Sequence, residues 1–223
     1  MKKILVSIVS IVSSLYLCNS AQAIPAGATN LLLNDSFESV SGSGTDFVGW
    51  AEGGEWYKDG RAHTGLVSAR LGVQTGNLYQ NFAITSGDIL YFGAYFNILT
   101  QNPGQENWDQ TQINMQIAGL NDTTIGGSVS SFQGINWQLM AGAGNTYTSG
   151  WFLVSGSVDI SGITLPANSA INISLQNFDT DVSRLLVDDA YAGTGAAVPE
   201  PATMLLFGTG LIGLAAIGRR KRS

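Results

Sequence analysis

Ile171-Asn172-Ile173-Ser174-Leu175-Gln176 places an apolar side chain at every second position with a polar one between. A period of two fits a strand, whose successive side chains leave opposite faces. It does not fit a helix, whose apolar stripe recurs at three and four. Ile113, Met115 and Ile117 repeat the pattern around Asn114 and Gln116, and Phe152, Val154, Val158 and Ile160 extend it across Gly156. Leu90 to Ile98 is apolar on both faces, as a central strand is. Ser86-Gly87-Asp88, Asn102-Pro103-Gly104, Gly119 to Asp122 and Gly142 to Asn145 are turn signals between these runs. No amphipathic helix of ordinary length stands between residues 24 and 197, so the reading is an all-β chain, a β-sandwich or jelly roll. Abundant Gly, Ser, Asn and Thr do not make it disordered, because aromatic and β-branched residues recur inside each run.

Both ends of the 223-residue chain have a different character. Lys2 and Lys3 precede an apolar run from Ile4 to Leu17, and Ala21-Gln22-Ala23 supplies the small residues a signal peptidase requires. The expectation is a signal peptide over 1–23. Cys18, the only cysteine, follows Leu17 where a lipobox has a small residue, and it leaves with the signal. The exported domain therefore has no disulfide and relies on core burial or a bound metal.

At the other end, Val198-Pro199-Glu200-Pro201 leads into the 17 uncharged residues from Ala202 to Gly218 and then Arg219-Arg220-Lys221-Arg222. As a helix at about 1.5 Å per residue, that run covers roughly 26 Å, just short of a ~30 Å hydrocarbon core, so as a transmembrane segment it can barely span, and the cations favour its C-terminal end in the cytoplasm. Pro199 and Pro201 keep the preceding backbone extended and open to a processing enzyme.

Proline pair with glutamate, short apolar helix and Arg-rich terminus, in that order, resemble the PEP-CTERM sorting signal of Gram-negative bacteria. The resemblance covers about 26 of the 223 residues. It implies recognition by an exosortase, an intermediate anchored in the inner membrane, a final place at the cell surface or outside the cell, and association with exopolysaccharide or biofilm matrix. The domain plan expected is signal peptide 1–23, β-sandwich 24–191, a small-residue linker 192–197 and the sorting signal 198–223. Between the two targeting segments only Lys58, Arg61, Arg70 and Arg184 oppose fifteen acids. That acidity argues against a nucleic-acid partner and suits divalent cations or neutral ligands.

Within this span, Asn30-Leu-Leu-Leu-Asn-Asp-Ser-Phe-Glu38, Gly49-Trp50, His63-Thr64-Gly65 with Ser68, Tyr79-Gln80, Gly87, Trp151 and Leu185-Leu186-Val187-Asp188-Asp189 resemble the landmarks of galactose-binding-domain-like jelly rolls, a group that includes many carbohydrate-binding modules. The resemblance implies a structural calcium ion joining Glu38 to Asp188, with Asp189 as the alternative ligand and backbone oxygens near His63 to Gly65 completing the shell. Calcium takes 6–8 oxygens, and carboxylates from the two ends of the domain would pin its first and last strands together. Asp179-Thr180-Asp181-Val182-Ser183 imitates the opening of an EF-hand loop but has Arg184 and Ala190 where glycine and glutamate are required.

Sugar recognition needs aromatic faces beside hydrogen-bonding groups. Trp56, Tyr57, Trp108 and Trp137 lie among polar residues and are the candidate platforms, whereas Trp50 and Trp151 are assigned to the core. For catalysis the chain offers no Gly-x-Ser-x-Gly elbow and no His-Glu-x-x-His. His63 is the only histidine, and Glu52, Glu55 and Asp59 are the carboxylates a glycosidase would draw on. The reading is a non-catalytic surface or matrix protein that binds carbohydrate. The alternatives are a structural or adhesive matrix protein and, behind it, a polysaccharide-modifying enzyme.

Overall fold

Fourteen strands make up the described regular structure, and none of the described residues is helical. The computed structural model describes residues 28–41, 46–84, 87–101, 103, 111–118, 123–128, 135, 137–140, 143–161, 169–177 and 183–195. The signal peptide, the sorting signal, Trp108 and the Asp179–Val182 part of the acidic cluster lie outside the described residues. In chain order the strands are β1 Val40–Ser41, β2 Asp46–Phe47, β3 Ala51–Gly53, β4 Trp56–Asp59, β5 Ser68–Leu71, β6 Thr75–Phe82, β7 Ile89–Thr100, β8 Gln112–Ala118, β9 Thr123–Ser128, β10 Gln138–Leu139, β11 Tyr147–Thr148, β12 Phe152–Asp159, β13 Ser169–Gln176 and β14 Ser183–Gly195.

Two antiparallel sheets form a sandwich. One runs β3-β6-β13-β8-β9; the other runs β10-β11-β7-β14-β5-β4, with β12 sharing the β11 side of β7. Alternation does what the sequence predicts. On β13, Ile171, Ile173 and Leu175 are buried while Asn172, Ser174 and Gln176 point away, and β8 repeats this with Ile113, Met115 and Ile117 inward. Against them pack Leu90, Phe92, Phe96 and Ile98 of β7 with Leu185 and Val187 of β14. β7 is buried almost throughout, as its unbroken apolar run requires.

The landmark residues tie the chain's entry to its exit. Asn30 donates from Nδ2 to Ala190 O at 3.0 Å and accepts at Oδ1 from Ala192 N at 3.1 Å, while Leu31 N donates to Ala192 O at 2.7 Å. Gln80 brackets the Leu33 backbone, accepting its N–H at 2.6 Å and donating to its carbonyl at 2.9 Å.

Over 192–195 the expected linker (192–197) is corrected by the strand, since β14 continues to Gly195 and Ala192 is buried opposite Phe92; residues 196 and 197 lie outside the described residues. Here small residues serve packing rather than flexibility. A Cβ on Gly193 would lie 2.6 Å from the Thr29 carbonyl, so only glycine lets the N-terminal segment cross there. Trp50 is core as expected and its Nε1 donates to Asn34 O at 3.0 Å. Trp151 is only half-buried, set edge-on to His63 with ring centroids 5.9 Å apart.

Candidate functional site

Glu38, Asp188 and Asp189 all reach the loop from His63 to Val67. Glu38 Oε1 accepts the N–H groups of Leu66 at 2.6 Å and Val67 at 2.9 Å. Asp188 Oδ2 accepts those of His63 at 2.7 Å and Thr64 at 3.4 Å, and its Oδ1 accepts Asp189 N at 2.8 Å. Asp188 is 0% exposed, and this burial pushes its carboxyl up to about 7 against the lowering effect of the His63 and Asp189 N–H bonds.

Asp189 has another job. It sits at φ 45, at a bulge between Asp188 and Tyr191, which turns its side chain onto His63 Nδ1 at 2.6 Å and the Thr64 hydroxyl at 2.7 Å. The His63 ring stacks on Tyr95 with centroids 3.7 Å apart. No group of three or more His, Cys, Asp or Glu side chains is placed to share a metal among the described residues. A calcium ion would draw on Glu38 and the buried Asp188, which has no cationic side-chain partner among the described residues; the contacts recorded between these carboxylates and the loop are with its N–H groups.

The aromatic candidates separate according to strand parity. Trp56 is 2% exposed, part of the core, and donates from Nε1 to Gly53 O at 3.0 Å; its assignment as a platform is corrected, because β4 turns Trp56 inward and Tyr57 outward. Tyr57 is 37% exposed, but the Arg70 guanidinium carbon lies 5.2 Å over its ring and its hydroxyl donates to Glu55 Oε2 at 3.1 Å. Trp137 is partly buried against the core.

The three carboxylates that hydrolysis would draw on have separate partners. Glu52 Oε1 accepts Phe47 N at 2.5 Å, and burial raises its carboxyl; Glu55 holds Tyr57; Asp59 pairs with Arg61 and Arg70. The Ser68 hydroxyl donates to Arg61 O at 2.5 Å.

The outer face of the five-stranded sheet is a second candidate surface, one that the aromatic residues do not mark. Register sets Tyr79, Asn172, Gln116 and Thr124 in one row across β6, β13, β8 and β9, and Asn77, Ser174 and Asn114 in the next. Thr75, Gln176 and Gln112 make a third. The three rows contain no charged side chain. At the β3–β6–β13 end the face sinks into a trough of about 550 Å³ lined by Gly53, Thr75, Asn77, Asn172 and Ser174. A Cβ on Gly53 would collide with the Asn77 side-chain oxygen, so glycine there gives Asn77 its place. Asn172 lines this trough, and its Oδ1 is buried with no hydrogen-bond partner. The signal was in the sequence, in the polar half of each alternating run.

Residues 197–222 match the PEP-CTERM protein-sorting motif. Comparison by sequence with curated proteins found no match. Among solved structures the chain is similar to the carbohydrate-binding module TmCBM61, solved with β-1,4-galactotriose, at a TM-score of 0.50 and 14% identity over 75% of this chain and 99% of that one. It is also similar to the CBM22-1 xylan-binding domain of Paenibacillus barcinonensis Xyn10C, at a TM-score of 0.41, 13% identity and coverage of 73% and 93%. The Stig cyclase Fisc of Fischerella sp. TAU follows at 0.47, 10%, 76% and 100%. At such identities the likeness concerns the fold alone. The chain thus carries the PEP-CTERM protein-sorting motif behind an all-β sandwich of the galactose-binding-like kind, and the motif marks it as exported by way of a membrane-anchored intermediate.

Proposed function

We propose that this is a non-catalytic surface or exopolysaccharide-matrix protein that binds an uncharged saccharide on the outer face of its five-stranded sheet. The observation that carries the reading is the three-row field of amide and hydroxyl groups ending in a trough with the unpartnered Asn172 Oδ1. Amides both donate and accept, which matches vicinal sugar hydroxyls, and the lack of charge suits a neutral ligand. A buried acceptor without a partner costs about 1–3 kcal/mol, and a ligand hydroxyl or a bridging water removes that cost. Tyr79 is the aromatic residue in these rows; its hydroxyl donates to Asn81 Oδ1 at 2.6 Å, which holds the ring in place. Calcium at Glu38 and Asp188 has a structural role here, fixing the 63–67 loop between the ends of the domain. Exosortase would act at Val198-Pro199-Glu200-Pro201, with Arg219, Arg220, Lys221 and Arg222 holding the far end in the cytoplasm.

The test is calorimetric titration of the full chain in mild detergent with neutral oligosaccharides, beginning with β-1,4-galactotriose and xylo-oligosaccharides. Binding that weakens at least tenfold in Asn172→Ala and Asn77→Ala, with no loss of melting temperature, is expected. Silence across a broad neutral glycan panel would assign the sandwich to scaffold or adhesive duty instead.

A further inference from the structure

The seven-stranded sheet carries an aromatic cluster on its outer face. Ala94 and Phe96 of β7 belong to the core, so the pleat turns Tyr95 to the other side, where it lies opposite Leu153 on β12 and Asp188 on β14. The His63 ring stacks on Tyr95 with centroids 3.7 Å apart and planes 14° apart. Trp151, one residue before β12, meets the same imidazole edge-on at 5.9 Å and 62°. Tyr95 and Trp151 are half-buried and stand outside the core cluster, and the His63 side chain is 28% exposed.

Three polar atoms of this cluster are unused. His63 Nε2, Tyr95 Oη and Trp151 Nε1 have no hydrogen-bond partner among the described residues, and none of them is buried. Asp189 fixes what the imidazole offers. Its carboxylate only accepts, so His63 Nδ1 donates to Oδ2 at 2.6 Å and the neutral ring presents Nε2 as an acceptor. The Thr64 hydroxyl donates to Oδ1 at 2.7 Å, so both oxygens of Asp189 are engaged. A left-handed backbone at φ 45 is uncommon for a residue with a Cβ, and what it secures here is the aim of that carboxylate at the ring. Trp151 Nε1 adds a donor, and Tyr95 Oη donates or accepts. The charged neighbours of the ring, Asp189 and Asp188, are both acidic, which disfavours an anion.

We infer that this cluster is a second ligand site, one that takes a single ring of a neutral saccharide. Indole, phenol and imidazole rings suit the C–H faces of a sugar, and the three free atoms supply the donors and acceptors its hydroxyls seek. The cluster is three rings wide rather than several strands wide, so it holds one sugar unit, a side branch or a chain end. The site stands on its own atoms. Only its consequence rests on the reading of the amide face: with sites on opposite sheets, one molecule holds two glycan chains and cross-links them.

His63 is the only histidine in the chain, so its ring signals in nuclear magnetic resonance report on this site. The full chain in mild detergent, at constant calcium, is titrated with methyl β-galactoside, methyl β-glucoside, methyl β-xyloside and galacturonate. At least one neutral glycoside is expected to move the Nε2 signal. The affinity read from that movement should weaken at least tenfold in Trp151→Phe and in Tyr95→Phe, which keep an aromatic ring and remove the free donor or hydroxyl. Either variant gives the reading if the other fails to fold. A signal that no neutral glycoside moves, or one that titrates equally in both variants, overturns the site. Galacturonate acting as strongly as methyl β-galactoside overturns the neutral class. If the His63 signal responds while Asn172→Ala leaves the number of galactotriose sites unchanged in calorimetry, the amide face alone is refuted and this site stands.

Discussion

Asp188 sets a pH dependence that can be worked out in advance. Its carboxyl moves from an ordinary 3.8 to about 7 on folding, chiefly through burial. At about 1.4 kcal/mol per pH unit, the displacement corresponds to about 4 kcal/mol. The sign follows from proton binding: between these values the folded chain holds a proton that the unfolded chain has lost. The contribution is therefore complete below about pH 4, declines as pH rises, and is gone above about pH 7. For a domain of this size it amounts to a fall of roughly 8–16 °C in melting temperature. The assay is thermal unfolding of the full chain from pH 4 to 8 in chelator, beside Asp188→Asn, which cannot ionise. Glu52, also raised by burial, adds a slope of the same sign, and it remains in the variant. The wild type should lose stability across this range while Asp188→Asn stays much flatter, and calcium added at pH 8 should restore the wild type by holding the ionised carboxylate. Equal slopes in the two proteins would refute the burial argument, and no response to calcium in the wild type would remove the metal.

Trp56→Ala should cost about 3–5 kcal/mol in chemical denaturation, whereas Tyr57→Ala, one residue away on the outer face, should stay within about 1 kcal/mol. Gly53→Ala should displace Asn77 and abolish neutral-sugar binding in titration with only a small change in melting. Replacing Pro199-Glu200-Pro201 with three alanines should leave the protein in the membrane fraction with its tail uncut, as read by fractionation and mass spectrometry.

Strand identity and face were legible in the chain because the pleat converts order in sequence directly into side. Ile171, Ile173 and Leu175 can be read as core without coordinates, and the same parity, applied to Trp56, would have placed it indoors had the β4 register been known. The terminal motif was legible for a related reason: membrane spanning and sorting depend on length, apolarity and charge along one contiguous segment. The linker misread at Ala192 to Gly195 shows where that logic ends, since small residues signal flexibility or close packing according to what crosses them, here Thr29.

Which sheet neighbours which, and what meets across it, was decided only by the tertiary structure. Strand pairing joins residues far apart in sequence, and nothing local to Asn77, Asn172 or Gln116 announces that they share one face, or to Tyr95 and Trp151 that one histidine ring meets both. The loop at His63 likewise meets Asp188 and Asp189 across more than a hundred residues. Local pattern fixed what each strand could offer to either side; the energetics of burying both inner faces at once fixed which offers were brought together.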